Sequence, residues 1–135
     1  MREGSGPLAG VGVDLCAVSR MERALEKPGF LARVFAPQER AYLEEKGRGR
    51  AQSAAAMFAA KEAVAKALGT GMSGGVCFEQ IEVTHDALGA PCVQLCGAAQ
   101  ERLMALGGGR VLLSLSHEGD MAMAFAVIEA GGERP

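Results

Sequence analysis

Large aromatic side chains are scarce in this sequence, which has no tryptophan, one tyrosine and five phenylalanines among 135 residues. Hydrophobic residues nevertheless make up 49% of the chain and charged residues 22%, so we expect a packed core rather than disorder. Because the apolar share consists largely of alanine, we expect a core built from small side chains. Small domains of this kind often gain stability from oligomerisation. The length predicts one domain covering residues 1–135.

The sequence also lacks the features of nucleic-acid and membrane proteins. Its net charge is −2, from 14 basic and 16 acidic residues, so no overall positive field attracts nucleic acid. No apolar run approaches the roughly 18 residues that a membrane span needs. The short polar N-terminus does not resemble a signal peptide. We therefore predict a cytoplasmic protein without nucleic-acid or membrane partners.

The four cysteines show no CxxC spacing. Cys16, Cys77, Cys92 and Cys96 therefore indicate reduced thiols rather than a disulfide framework. His85 lies near the last two in sequence and raises the question of a zinc site. In an extended segment, however, Cys92 and Cys96 would be about 13 Å apart, too far to bind one ion. We interpret all four as core or surface thiols.

Helical patterns dominate the first half of the chain and hairpin patterns the second. A capping-box pattern begins at Ser19, and good helix formers fill the segment 51–68. The sequence predicts helices over 19–27, 37–46, 51–68 and 98–106, and strands over 8–14, 76–84, 91–96, 110–116 and 121–129. This layout predicts an α+β fold with an antiparallel sheet packed against a long central helix.

The chemically informative residues lie on the alanine-rich helix and on the first strand. Glu62 and Lys66 are four residues apart and share one helix face, which by itself indicates an ordinary solvated ion pair. Asp14, however, ends a buried-looking strand, where a lone carboxylate is costly unless it has a partner. A glycine-containing turn over 69–71 follows Lys66 within one helical turn.

Together these residue types suit a site that handles diphosphate. Magnesium takes one or two protein carboxylates and completes its coordination with phosphate oxygens and water. A lysine supplies positive charge for phosphate, and glycine backbone can approach a phosphate closely. The turn is not a P-loop, because no Gly-Lys-Ser/Thr follows four intervening residues.

In order and spacing, these and neighbouring motifs resemble the holo-[acyl-carrier-protein] synthases of the 4'-phosphopantetheinyl transferase superfamily. The matching segments are GVDL at 12–15, Arg20, FAAKEA at 58–63, KALGTG at 66–71, IEV at 81–83 and SLSH at 114–117. The resemblance covers about residues 9 to 128. It implies an enzyme that transfers 4'-phosphopantetheine from coenzyme A to a serine of an apo acyl carrier protein, releasing 3',5'-ADP, in fatty-acid or polyketide biosynthesis.

The resemblance also implies roles for individual residues. Asp14, Glu62 and Lys66 would be catalytic, with Asp14 and Glu62 holding Mg²⁺ on the diphosphate. The residues it assigns to coenzyme A are Lys61, Lys66, Gly69, Thr70, Gly71 and His117. The base that takes the serine proton stays open between Glu62, Asp14 and a metal-bound water. His117 would otherwise be an ordinary turn histidine.

A basic stripe on the first predicted helix is the candidate docking surface for the carrier protein. Arg20, Arg23 and Lys27 are spaced i, i+3, i+7, although acidic residues on the same helix also fit an ordinary solvated face. By resemblance, Arg20 is the strongest single candidate, and Arg33 lies further along.

The sequence departs from the family pattern at three places. Met57 replaces the usual arginine four residues before Lys61, Ala36 replaces a Thr or Ser cap, and the usual Asn-Gly-Lys-Pro loop has become Leu-Gly-Ala-Pro at 88–91. Two positive charges are therefore missing. Two alternatives follow: a degenerate homologue that binds coenzyme A or a carrier without catalysis, and a transferase domain that serves a dedicated carrier. The retained Asp14, Glu62 and Lys66 favour an active enzyme.

The last predicted strand has no polar face, because every residue from 121 to 128 is apolar. Such a strand is expected to be covered on both sides, and a small α+β domain has too few layers for this. We expect the sheet of a neighbouring subunit to cover it. The resemblance implies a homotrimer with active sites shared between neighbouring chains.

Overall fold

The computed structural model describes residues 6–131, whose helices and strands follow the predicted order. The elements are β1 (Leu8–Ala17), α1 (Val18–Leu25), α2 (Phe30–Val34), α3 (Pro37–Glu44), α4 (Arg50–Ala67), β2 (Ile81–His85), β3 (Pro91–Leu95), α5 (Gly97–Ala105), β4 (Gly108–Glu118) and β5 (Met121–Ala130). Short 3-10 turns precede α4 at Gly47–Gly49 and β2 at Phe78–Gln80.

The strands form two antiparallel sheets around α4. In the larger sheet the order is β1-β5-β4, whereas β2 and β3 form a separate hairpin. Asp14 lies opposite Ala124 on β5, and Phe125 lies opposite Ser114 on β4. The predicted α+β class with antiparallel strands and a long helix is confirmed, although the strands are divided between two sheets rather than one.

The alanines of α4 explain how the sheet and helices approach this helix from several sides. Ala54, Ala59, Ala63 and Ala65 are fully buried, and small side chains let neighbouring backbone come close. β1 comes closest, because a Cβ on Gly12 would lie only 2.0 Å from the carbonyl oxygen of Ala63. Glycine is therefore required where β1 crosses α4, and the next residue on the same face, two positions on, is held beside the helix.

Three local predictions were wrong in detail. The capping box at Ser19 does not form, since α1 begins at Val18 and Ser19 lies within its first turn. The helix predicted over 19–27 already ends at Leu25, and a further short helix, α2, that was not predicted follows it. The strand predicted over 76–84 begins only at Ile81, because a 3-10 turn occupies the preceding residues.

The outer face of the larger sheet is apolar and open. On β5, Ala124 and Ala126 are fully buried against α4, whereas Phe125 on the opposite face is 43% exposed. The same outer face continues over β1, β5 and β4 through Val11, Val13, Leu15, Met123 and Leu112, all exposed. We call these residues together with Phe125 the apolar sheet face. Within the described part of the chain, only one side of β5 is covered.

Candidate active site

An ion pair joins the inner face of β1 to α4. Lys66 Nζ lies 3.0 Å from Asp14 Oδ1 and donates a hydrogen bond to the Val13 carbonyl oxygen, also at 3.0 Å. The Lys66 side chain is 52% exposed and that of Asp14 is 20% exposed, so the pair lies at the rim of the molecule. The lysine can therefore exchange Asp14 for an anionic ligand without exposing a buried charge.

Glu62 completes this group, one helical turn before Lys66. Burial raises the pKa of the Glu62 carboxyl above its usual value and nearby Asp14 raises it further, whereas Lys66 lowers it. The two carboxylates thus repel each other across a partly buried space that contains one lysine. An additional cation would stabilise both ionised carboxylates.

This donor set fits magnesium, which needs only one or two protein carboxylates when phosphate oxygens and water fill its other positions. Residues 6–131 contain no cluster of three or more His, Cys, Asp or Glu side chains that could enclose a metal by themselves. The four cysteines are free. Asp14 and Glu62 are therefore suited to a hard divalent cation that shares its coordination with a substrate.

Lys61, which the family resemblance assigned to coenzyme A, does not reach the surface. Its side chain is 0% exposed and its Nζ lies 2.8 Å from Glu39 Oε1. It also donates to the Phe78 carbonyl oxygen at 3.0 Å and to that of Ile81. Burial lowers the pKa of the Lys61 amine, and Glu39 counteracts part of this shift. We therefore remove Lys61 from the candidate ligand set, because all its contacts are internal.

Glu39 is the partner that the sequence reasoning missed. Its Oε1 accepts from the Ala36 amide at 2.8 Å and its Oε2 from the Val83 amide at 2.7 Å, so one buried carboxylate ties α3 to β2. A local signal for a structural role was present in the sequence. Glu39 is the third residue of α3, the position at which a glutamate completes a capping box. The contact with Lys61 could not be inferred from that signal.

Removing one member of this buried pair is expected to destabilise the fold strongly. Lys61→Met leaves the Glu39 charge buried without its cation and should lower the free energy of unfolding by about 3–5 kcal/mol. The matched control is Lys66→Met, an exposed lysine on the same helix, which should cost less than about 1 kcal/mol. Urea denaturation of both variants measures the difference. Equal costs would show that the buried pair has no structural role.

The turn Gly69-Thr70-Gly71 ends α4. Its three backbone amides donate to carbonyl oxygens of α4, that of Gly69 to Lys66 and those of Thr70 and Gly71 to Ala65. The Thr70 hydroxyl donates to the Gly71 carbonyl oxygen at 2.7 Å. No amide of this turn is free for a phosphate, so its contact with the nucleotide stays a prediction that this geometry does not favour.

His117 lies away from the carboxylates. In the sheet, β5 separates β4, which carries His117, from β1, which carries Asp14. The His117 ring contacts Gln52 of α4 at 3.2 Å and lines a groove of about 350 Å³ that Met57 also lines. Gln52 and Glu62 are ten residues apart on α4, about 15 Å along its axis, so one chain does not bring His117 to the Asp14–Glu62–Lys66 group. Met57 is buried and serves the core at the position where the family has arginine.

The four predicted docking residues, in contrast, do come together. Arg20, Arg23, Lys27 and Arg33 line one groove of about 430 Å³. Its floor is apolar and consists of Cys16, Met21, Ala24, Phe30 and Phe58. We call it the basic groove. Its rim of cations over an apolar floor suits an amphipathic, acidic partner.

The basic groove leads to the carboxylate pair. On α4, Phe58 lies one turn before Glu62, and on β1, Cys16 lies two residues after Asp14 on the same strand face. Burial raises the pKa of the Cys16 thiol, Arg20 lowers it, and Asp14, Asp120 and Glu62 raise it, so Cys16 lies within electrostatic reach of all four charged groups. The basic groove therefore lies beside Asp14 and Glu62.

Within residues 6–131, no helix combines the length and apolar character that a membrane crossing requires.

Comparison with known proteins agrees with this geometry. The family model of the 4'-phosphopantetheinyl transferase superfamily matches residues 10–126. A holo-[acyl-carrier-protein] synthase of Halorhodospira halophila is 48% identical over 92% of this chain and 99% of its own length. The solved structure of the Neisseria meningitidis synthase has a TM-score of 0.81 and 38% identity over 90% of this chain and 98% of that one.

The Helicobacter pylori synthase, solved in complex with coenzyme A, has a TM-score of 0.76 and 28% identity over 87% of this chain and 98% of that one. Sequence and fold thus agree along almost the whole chain, which belongs to the holo-[acyl-carrier-protein] synthases of the 4'-phosphopantetheinyl transferase superfamily.

Proposed function

We propose that this protein transfers 4'-phosphopantetheine from coenzyme A to a serine of an apo acyl carrier protein and releases 3',5'-ADP. The observation that supports this most directly is the junction of the basic groove with the Asp14–Glu62–Lys66 group. A two-substrate transfer requires that the surface binding an acidic carrier lies next to the site binding a diphosphate. Here the basic groove adjoins the Asp14–Glu62–Lys66 group.

The chemistry follows from the residues at that junction. Asp14 and Glu62 would hold Mg²⁺, which when bound neutralises charge on the diphosphate. Lys66 leaves Asp14 and contacts a phosphate oxygen. The serine oxygen forms a bond to the β-phosphorus while the bond from that phosphorus to the bridging oxygen breaks, and 3',5'-ADP departs with the electron pair. Most of the acceleration would come from this positioning and charge stabilisation.

The serine proton must leave during this step. Glu62, Asp14 and water remain the candidate acceptors. Burial and the neighbouring Asp14 raise the pKa of Glu62, whereas Asp14 is engaged by Lys66 in the free protein, so all three acceptors stay open.

One incubation tests the activity as a whole. Apo carrier protein, coenzyme A and magnesium are mixed with the enzyme, and the carrier is measured by intact mass. Transfer adds one phosphopantetheine to the carrier. Binding of coenzyme A without this mass gain would instead indicate a degenerate homologue. Running the assay in parallel with carriers of fatty-acid and polyketide systems identifies the pathway that the enzyme serves. We propose that the enzyme works in the cytoplasm.

Carrier docking through the basic groove predicts a selective effect of Arg20. Arg20→Ala removes an exposed cation of the groove rim and should raise the carrier KM at least about tenfold, the equivalent of one strong interfacial charge contact. The KM for coenzyme A should change little, because Arg20 makes no contact with Asp14 or Lys66. Added salt should weaken the wild type in the same selective way.

Steady-state kinetics with each substrate varied in turn makes this measurement. Glu26→Gln is the control. Glu26 directly follows the last residue of α1, and its charge lies outside the basic groove. Equal effects of Arg20→Ala on both substrates would show that the groove does not dock the carrier.

We further propose that the working unit is a homotrimer in which neighbouring chains complete each site. Two observations support association. The apolar sheet face leaves large side chains such as Phe125 and Leu15 exposed to water, which is costly in a monomer. His117 lies on β4, separated by β5 from Asp14 on β1, and a neighbouring chain would supply it to the site. The number three comes from the family resemblance.

A further inference from the structure

Helix α1, which carries two of the four cations of the basic groove, Arg20 and Arg23, has no cap of its own. It begins at Val18, and the preceding residue, Ala17, has no side-chain oxygen that could accept a hydrogen bond. The first backbone amides of any helix lack partners within the helix, and an uncapped start is a weak point. α1 is also only eight residues long, so it gains little stability from its own hydrogen bonds.

Asp120 supplies the missing cap from the far end of the chain. Its Oδ1 accepts from the Ser19 amide at 3.0 Å and its Oδ2 accepts from the Ser19 hydroxyl at 2.7 Å. Its carbonyl oxygen accepts from the Val18 amide at 2.7 Å. Ser19 is the second residue of α1, where an N-cap side chain normally binds, and the negative charge suits a helix N-terminus.

The position of Asp120 connects this cap to the sheet. Asp120 ends the turn between β4 and β5, and the next residue, Met121, lies opposite Ala17 in the β5–β1 ladder. The first turn of α1 is therefore held against the rigid sheet by three hydrogen bonds to one residue. Arg20 follows Ser19 directly, so the direction in which the Arg20 side chain points depends on how Asp120 holds Ser19.

We propose that Asp120 is a positioning residue for carrier docking: it acts through the first turn of α1 and holds Arg20 at the rim of the basic groove. This inference rests on the proposed docking of the carrier in that groove. Asp120 does not line the groove, so it needs no contact with the carrier. The buried Met21 anchors the middle of α1 in the core. Loss of the cap should therefore loosen the first turn without unfolding the helix.

Asp120→Ala should raise the carrier KM about fivefold, the fold-change that corresponds to one lost helix cap. The KM for coenzyme A should stay unchanged. Asp120→Asn should restore most of the wild-type carrier KM, since its amide oxygen still accepts from the Ser19 amide. Equal effects of the asparagine and alanine variants would show that Asp120 does not act through its hydrogen bonds to Ser19, and the inference would be overturned.

A double variant shows whether Asp120 acts through Arg20. Adding Asp120→Ala to Arg20→Ala should raise the carrier KM no further, because the side chain being positioned is gone. Independent, additive effects would overturn the inference. Thermal unfolding of Asp120→Ala gives the structural readout, and a large loss of Tm together with an increase in both KM values would reduce Asp120 to a general stabiliser.

The two proposals fail in different ways. If Arg20→Ala leaves the carrier KM unchanged, docking in the basic groove is wrong. If Arg20→Ala raises the carrier KM but Asp120→Ala equals the wild type, only the positioning role is wrong.

Discussion

Replacing Glu62 by glutamine should reduce phosphopantetheine transfer at least about a hundredfold at saturating magnesium. The substitution keeps the size and shape of the side chain but removes the charge that a cation at Asp14 and Glu62 requires. Removing it should also weaken magnesium binding, which calorimetric titration in the presence of coenzyme A measures independently of turnover.

Glu101→Gln is the matched control, because this exposed glutamate on α5 loses the same charge and is not part of the Asp14–Glu62–Lys66 group. It should keep wild-type rates. Activity of Glu62→Gln near that of the wild type would exclude the proposed metal site. Unchanged magnesium affinity together with low activity would point instead to Glu62 as the base.

A charge placed in the middle of the apolar sheet face should dissociate the assembly and abolish activity. Phe125→Asp buries a carboxylate in the proposed interface, and a buried unpaired charge costs several kcal/mol, roughly as much as a small interface supplies. Phe125 lies on the outer face of β5, opposite Ser114, and makes no contact with the carboxylate pair. Loss of activity would therefore report loss of the neighbouring chain. Val127→Asp, two residues on along the same face, should act in the same way.

Sedimentation velocity at the assay concentration measures this outcome. Met104→Asp is the control, because Met104 is 68% exposed on α5 and lies outside the apolar sheet face. It should remain assembled and active. A fully active monomer of the Phe125→Asp protein would contradict the shared site, and so would a wild-type monomer with full activity.

Mixing inactive variants tests sharing directly. Glu62→Gln and His117→Ala subunits that are unfolded and refolded together should regain part of the wild-type activity, because some sites then combine an intact Glu62 with an intact neighbouring His117. No recovery from properly assembled mixtures would place both residues in sites formed by single chains.

The long helix shows why part of this site could be predicted from the sequence. The run of good helix formers that predicted 51–68 became α4 over Arg50–Ala67, and helical spacing alone placed Glu62 and Lys66 on one face. The element boundaries that failed lie where short segments compete, as in the 3-10 turn before β2. There, hydrophobic pattern does not distinguish a strand from a tight turn.

Lys61 marks the limit of that reasoning. It is adjacent to Glu62, and in a helix adjacent residues point about 100° apart, so one can face a substrate while the other faces the core. Because α4 is packed on several sides, the helical periodicity of its sequence does not indicate which of its faces is exposed to solvent. Only the position of Glu39, 22 residues earlier in sequence, shows that Lys61 is a core cation.

By itself, the sequence determined the α+β class, the long helix, the Glu62–Lys66 pair and the basic stripe, since each of these depends on residues close together in the chain. Tertiary structure alone decided which of these residues meet. It placed Asp14 beside Lys66 by way of the glycines of β1, buried Lys61, capped α1 with a residue 101 positions away, and set His117 apart from the carboxylates. Contacts between distant segments depend on how whole elements pack, and local propensity and periodicity contain no information about that packing.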